Sequence, residues 1–253
     1  MVTTPPRPVK TSTITWERLP DDFILPDDPV DNVNQPALAA ALTDSLHQAK
    51  LMQDAAFTMT NYGVCATVNN QIVVKAPDWA YVAHTTVPRS EIERSYTPHL
   101  QGDVPAIVME FLSATAGEEY SSKPTYPPGK WFYYERVLQV PYYAIFEPTS
   151  GGLEVYHLQE DGCYKVEIMA ENGLYWLESM QLFLGVWQGE REGRSGYWLR
   201  WWDAQENLLL WGTERAEQEA QRAEQEAQRA EQEAQRAERL LAQLRAAGIE
   251  PED

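Results

Sequence analysis

Pro105-Ala106-Ile107-Val108-Met109-Glu110-Phe111-Leu112-Ser113 is an apolar run with a single acid inside it. Its length and its Ile, Val and Phe content read as a buried strand over 106–112. A carboxylate in such a strand costs several kcal/mol unless a cation or hydrogen bonds compensate it. A second acid, Asp78, closes the shorter apolar run Val73-Val74-Lys75-Ala76-Pro77-Asp78, and Trp79-Ala80-Tyr81-Val82 continues beyond it. A lysine, Lys130, lies 20 residues after Glu110 and opens Lys130-Trp131-Phe132-Tyr133-Tyr134-Glu135. Two acids on neighbouring strands make a site for a hard cation, and Mg²⁺ suits one or two carboxylates completed by water and phosphate oxygens. A lysine beside them completes a centre able to cleave phosphodiesters.

Pro77-Asp78, Val108-Met109-Glu110-Phe111-Leu112-Ser113, Lys130 with Tyr134, then Val140, Tyr143 and Glu147-Pro148 together resemble the Uma-type restriction endonucleases. That family abounds in cyanobacteria and belongs to the PD-(D/E)XK nuclease superfamily. The resemblance covers roughly residues 15 to 210. It implies an α/β, restriction-endonuclease-like core with a central mixed sheet flanked by helices. It implies cleavage of DNA, with Asp78, Glu110 and Lys130 as the catalytic set and Mg²⁺, replaceable by Mn²⁺, held by Asp78 and Glu110. The carbonyl of Phe111 would add a ligand; Gln35 is a candidate helper by its position alone, at the start of the first helix. The superfamily pattern has a lysine two residues after the second acid, where this chain has Leu112. The family moves that lysine to the following helix, which points to Lys130, with Lys123 as the rival.

The composition sets limits. The chain has 253 residues, 43% apolar and 11% aromatic with nine Trp, enough for one sizeable core and an appendage. Cys65 and Cys163 are far apart and offer neither a disulfide framework nor a zinc spacing, which suits a reducing cytoplasm. The start lacks an apolar signal core, and no run approaches a membrane span. The net charge of −18 opposes non-specific nucleic-acid binding, which depends on neutralising phosphates. The tail from Thr213 holds 6 basic and 11 acidic residues, and the part before it 14 and 27. An acidic chain can still hold DNA through a local basic strip with metal ions, and Arg89, Arg94, Lys123, Lys130 and Arg136 could form one if the fold gathers them. The histidines at 47, 84, 99 and 157 have no metal spacing, and no cofactor-binding motif is assigned.

Along the chain, residues 1–30 read as an irregular, proline-rich arm, 31–212 as the nuclease-like domain and 213–253 as a helical, coiled-coil-like tail. A helix is predicted from about Pro36 to Leu51 by Leu38, Leu42, Leu46 and Ala49. Strands follow at 63–68 and 71–74, split by the turn signal Asn69-Asn70. The stretch 83–104 reads as an irregular excursion, 130–138 as a short helix and 142–146 as a strand. A hairpin is expected from 153–158 and 164–168, and a last strand from 196–203, packing on the sheet. In the tail, Arg-Ala-Glu-Gln-Glu-Ala-Gln repeats from Arg215, Arg222 and Arg229. Its alanines recur at alternating four- and three-residue spacings, continuing into Leu241 and Leu244, which predicts one helix from about Glu214 to Ala246 projecting from the core. Alanine knobs bury little area, so a single solvated helix reads as well as weak self-pairing, and a homodimer would form through the core or this seam.

Plainer readings stand beside these. Asp78 also reads as a strand-end acid bonded to a turn, and Lys130 as a surface lysine at a helix start. The aromatics from Tyr197 to Trp202 read as core rather than a base-stacking platform. The alternative for the whole chain is a non-catalytic scaffold on the nuclease fold that binds a protein partner through its tail. The acidic charge and Leu112 favour that alternative.

Overall fold

A computed structural model of the chain describes residues 12–25, 34–113 and 118–247. It divides into two units, residues 1–209 and 210–253. The first is built on a six-stranded sheet. In chain order its strands are β2 (Phe57–Met59), β5 (Trp79–Val82), β6 (Ile107–Phe111), β7 (Tyr142–Glu147), β8 (Gly152–Leu158) and β9 (Tyr164–Val166), and they lie side by side in that order. All neighbours are antiparallel except β6 and β7, which are parallel in the register Glu110↔Ile145. Parallel neighbours need a crossover. It passes through a helix, α2, which begins at Lys130–Phe132 and widens into π-type turns over Tyr133–Leu138. Gln139, with a left-handed φ of 55°, ends it. This is the mixed α/β core expected from the sequence, of the restriction-endonuclease-like kind.

The central strands read as apolar runs because both faces are covered. In β6 every residue is buried. Val108 joins Ala80, Val82, Tyr133, Tyr134, Leu138, Tyr143 and Ile145 in the cluster beneath α2. Strand alternation puts Glu110 on that same face. Behind the sheet lies α1 (Asn34–Gln48), which buries Leu38, Leu42 and Leu46 as the spacing predicted. It starts two residues before Pro36, which tolerates the first turn because its missing N–H has no partner there. It ends before the predicted Leu51 because Lys50 turns left-handed, with φ of 57°. Trp79 donates its indole N–H to Thr43 at 2.9 Å, tying β5 to α1.

Two three-stranded sheets complete the unit. β3 (Val64–Val68) and β4 (Gln71–Lys75) form the hairpin signalled by Asn69-Asn70, and both asparagines have positive φ, 50° and 62°. The hairpin lies in its own sheet with β1 (Ile14–Thr15), so the arm read as irregular contributes a short strand. The last predicted strand is β12 (Arg194–Trp202), and it pairs with β11 (Leu182–Arg191) and through it with β10 (Tyr175–Leu177). It packs on α1 rather than entering the main sheet, with Trp201 donating to the carbonyl of Leu42 at 3.2 Å and lying 5.8 Å from the Trp79 ring. The predicted strand at 164–168 is regular only to Val166. Residues 83–104 are irregular apart from one turn at Arg89–Glu91, as expected.

The second unit contains α3, a continuous helix from Gly212 to Ala246, none of whose residues is buried. Among the described residues no helix is long and apolar enough to cross a membrane. The remainder of the predicted arm, residues 1–11 and 26–30, lies outside the described residues.

Candidate active site

The antiparallel pairing of β5 with β6 sets Trp79 opposite Met109, which brings the residue before Trp79 level with Glu110. That residue is Asp78. One Asp78 oxygen accepts the backbone N–H of Phe111 at 2.6 Å, which holds the carboxyl beside the strand that carries Glu110. Glu110 is wholly buried. Its oxygens have separate partners: the Lys130 ammonium lies 2.8 Å from one, and the Tyr134 hydroxyl donates to the other at 2.9 Å. The crossover therefore delivers two groups to the acid on the strand it follows, Lys130 and, four residues later, Tyr134 on the same helix face.

Of the predicted residues, Asp78, Glu110 and Lys130 thus stand together. Lys123, the rival, is exposed. Leu112, where the superfamily pattern has its lysine, packs instead against the apolar cluster. Gln35 donates its amide to the carbonyl of Phe111 at 2.8 Å, so the first helix reaches the strand carrying Glu110. Two residues at the site had no assigned role in the sequence reading. Tyr134 carried the resemblance without one. Glu119 lies 3.8 Å from the Lys130 ammonium, in a proline-rich stretch without periodicity, and only its acidity could have drawn notice.

Burial dominates the electrostatics. It pushes the Glu110 carboxyl up to about 8, against the lowering effect of Lys130, and the neighbouring Asp78 adds to the rise. Burial likewise raises Asp78, opposed by the Phe111 N–H and Lys130. Burial pulls the Lys130 ammonium down, but Glu110, Asp78 and Glu119 outweigh it and hold it above its ordinary value. The cluster sets three carboxyls against one ammonium, a deficit of positive charge in a low-dielectric place.

Three members of the candidate basic strip are engaged locally. Arg94 donates to the carbonyls of Pro20 and Phe23, Arg136 pairs with Glu135 at 2.8 Å, and Arg89 lies over the Phe57 ring. Cavities bordered by Phe57, Tyr62, Arg89 and Ile92 include none of the site residues. Among the described residues no three His, Cys, Asp or Glu groups are arranged to hold a metal ion. A cation here would rest on two carboxylates and exogenous oxygens, a donor set of the kind Mg²⁺ accepts.

A family model described as "Putative restriction endonuclease" (Uma2) matches residues 11–188. No curated protein matches the chain. The matched span holds Gln35, Asp78, Glu110, Glu119, Lys130 and Tyr134, and stops short of β12 and α3.

Proposed function

The chain belongs to the Uma2 restriction-endonuclease family, and from that premise we propose that it is a Mg²⁺-dependent endonuclease hydrolysing phosphodiester bonds in DNA. The observation that carries this reading is the Lys130 ammonium 2.8 Å from a fully buried Glu110 that the strand register sets level with Asp78. Nuclease families of this kind generally work with divalent cations. The residues present fit one, because two buried acids with raised affinity for protons gain most from a replacement positive charge. Asp78 and Glu110 would hold it, with the Phe111 carbonyl oriented beside them by Gln35. When bound, the cation lowers the pKa of a water and offsets charge developing on the phosphate.

The chain's own groups do the rest. The Phe111 N–H and the Tyr134 hydroxyl fix the two carboxylates, so that little reorganisation is needed on binding. Lys130 supplies a compact positive charge to the scissile phosphate and a donor to the attacking water. The free thiols Cys65 and Cys163 agree with a cytoplasmic setting.

The test is cleavage by the intact chain of duplex, single-stranded and branched DNA and of RNA, with and without Mg²⁺. Metal-dependent cleavage lost in Asp78→Asn, with the fold retained by circular dichroism, is the expected outcome. A second reading is supported by the net charge of −18 and the locally engaged arginines. In it the fold is kept as a scaffold that binds a protein through α3. Absence of cleavage on every substrate would favour it.

A further inference from the structure

Glu119 belongs to neither the strand acids nor the helix that bears the lysine, yet its carboxylate lies 3.8 Å from the Lys130 ammonium. The residues around it explain why. The Tyr143 hydroxyl donates to the backbone carbonyl of Glu119 at 2.9 Å. Lys75 pairs with Glu118 on one side, and Tyr120 donates to Glu154 at 3.0 Å on the other. The carbonyl of Ser121 accepts the N–H of Phe132 at 3.3 Å, joining the segment to α2. Residues 118–121 are thus held to β4, β7, β8 and α2 separately. The Glu119 side chain is only 15% exposed. A surface acid drawn to a lysine by chance has no such set of restraints, and exposed pairs of that kind contribute little.

We propose that Glu119 is a positioning residue for Lys130, an inference that rests on the nuclease reading above. Lys130 stands between two carboxylates, 2.8 Å from Glu110 and 3.8 Å from Glu119. A carboxylate that turns to a divalent cation has less charge to offer an ammonium. Glu110 then ceases to be a firm anchor when the site is loaded. Glu119 does not face that competition, and it keeps the ammonium over the acids instead of letting the flexible four-carbon stem swing to solvent. The helix alone does not do this, because it fixes the base of the side chain and not its tip.

The test reads the lysine and the reaction separately, on the full-length chain. Lys130 is trace-labelled with acetic anhydride and quantified by peptide mass spectrometry in the wild type, Glu119→Gln and Glu119→Asp, without and with saturating Mg²⁺. Mg²⁺ should leave labelling of the wild type and Glu119→Asp nearly unchanged and raise that of Glu119→Gln about fivefold, the equivalent of ~1 kcal/mol of ion pairing. In parallel, Glu119→Gln should lower kcat about tenfold with KM little altered, and Glu119→Asp should recover most of the loss. A Glu110→Gln background gives a metal-free check, since there removal of Glu119 should unmask Lys130 by itself. Equal labelling of wild type and Glu119→Gln in both settings overturns the role of Glu119, whatever the cleavage result. A labelling contrast without cleavage by the wild type keeps the positioning role and sinks the nuclease reading instead.

Discussion

Glu110 has no exposed surface, and Lys130 and Tyr134 each take one of its oxygens. Its carboxyl is raised from 4.5 to about 8 in the fold, so the folded state holds that proton more tightly than the unfolded chain does. The stabilisation this gives is complete below about 4.5 and is lost as pH rises through about 8. Asp78 is shifted in the same direction. Lys130, held above its ordinary 10.5, changes charge only beyond that window. The metal-free chain should therefore lose unfolding free energy between pH 5 and 8, on the order of a few kcal/mol, seen as a falling melting temperature. Mg²⁺ should restore most at the alkaline end, because it binds the ionised pair. Calorimetry across pH checks this, and a Glu110→Gln variant that keeps the full slope would assign the loss to other groups. Both acids stand out in the sequence, Glu110 amid Ile, Val, Met and Phe and Asp78 at the end of the shorter run from Val73. Glu119 was not legible, because nothing in a polar stretch tells which of several acids the fold will turn inward.

At the scale of elements, legibility follows burial. The β6 run could be read because it is covered on both faces, and the β3–β4 hairpin because its turn needs residues that tolerate positive φ. Asn69 and Asn70 do. Asn70→Val, a β-branched residue forced into that conformation, should cost about 1–2 kcal/mol in urea unfolding, and an unchanged midpoint would refute the turn assignment. β11 escaped because glycines at 185 and 189 and a charged end from Glu190 break its pattern, although its pairing with β12 runs from Phe183 to Arg191 and spans all of β12. The tail helix was legible from strong formers without Gly or Pro. Its pairing is another matter. The alanine seam that ends in Leu241 and Leu244 is flanked on both sides by glutamates, at 217, 219, 224, 226, 231 and 233. Two copies would set like charges against each other in either orientation. Sedimentation velocity should show no concentration-dependent association through the tail at neutral pH and low salt, with weak association appearing only near 1 M salt, where screening is short-ranged.

At the scale of the whole chain, the six-stranded sheet, α1 and the crossover carry the fold, and α3 contributes no buried residue. A chain ending at Trp211 should keep the circular dichroism of its β-rich part and the melting transition of the parent to within a few degrees. Insoluble or unfolded protein would show that the tail is part of the domain. The site itself crosses three separate stretches: Asp78 before β5, Glu110 within β6, and Lys130 on the crossover to β7. Carrying the lysine on the crossover rather than on β6 has an evolutionary consequence. A lysine on the strand is locked to its acid by the two-residue pleat, and no insertion can move one without the other. On the crossover, the reach of the ammonium depends on the length and anchoring of residues 118–129, which lie outside the sheet. Insertions or deletions there can retune the charge above the acids while the strands that hold them stay in register. In this chain the charge above the acids can therefore change through the connection alone, with the sheet left as it is.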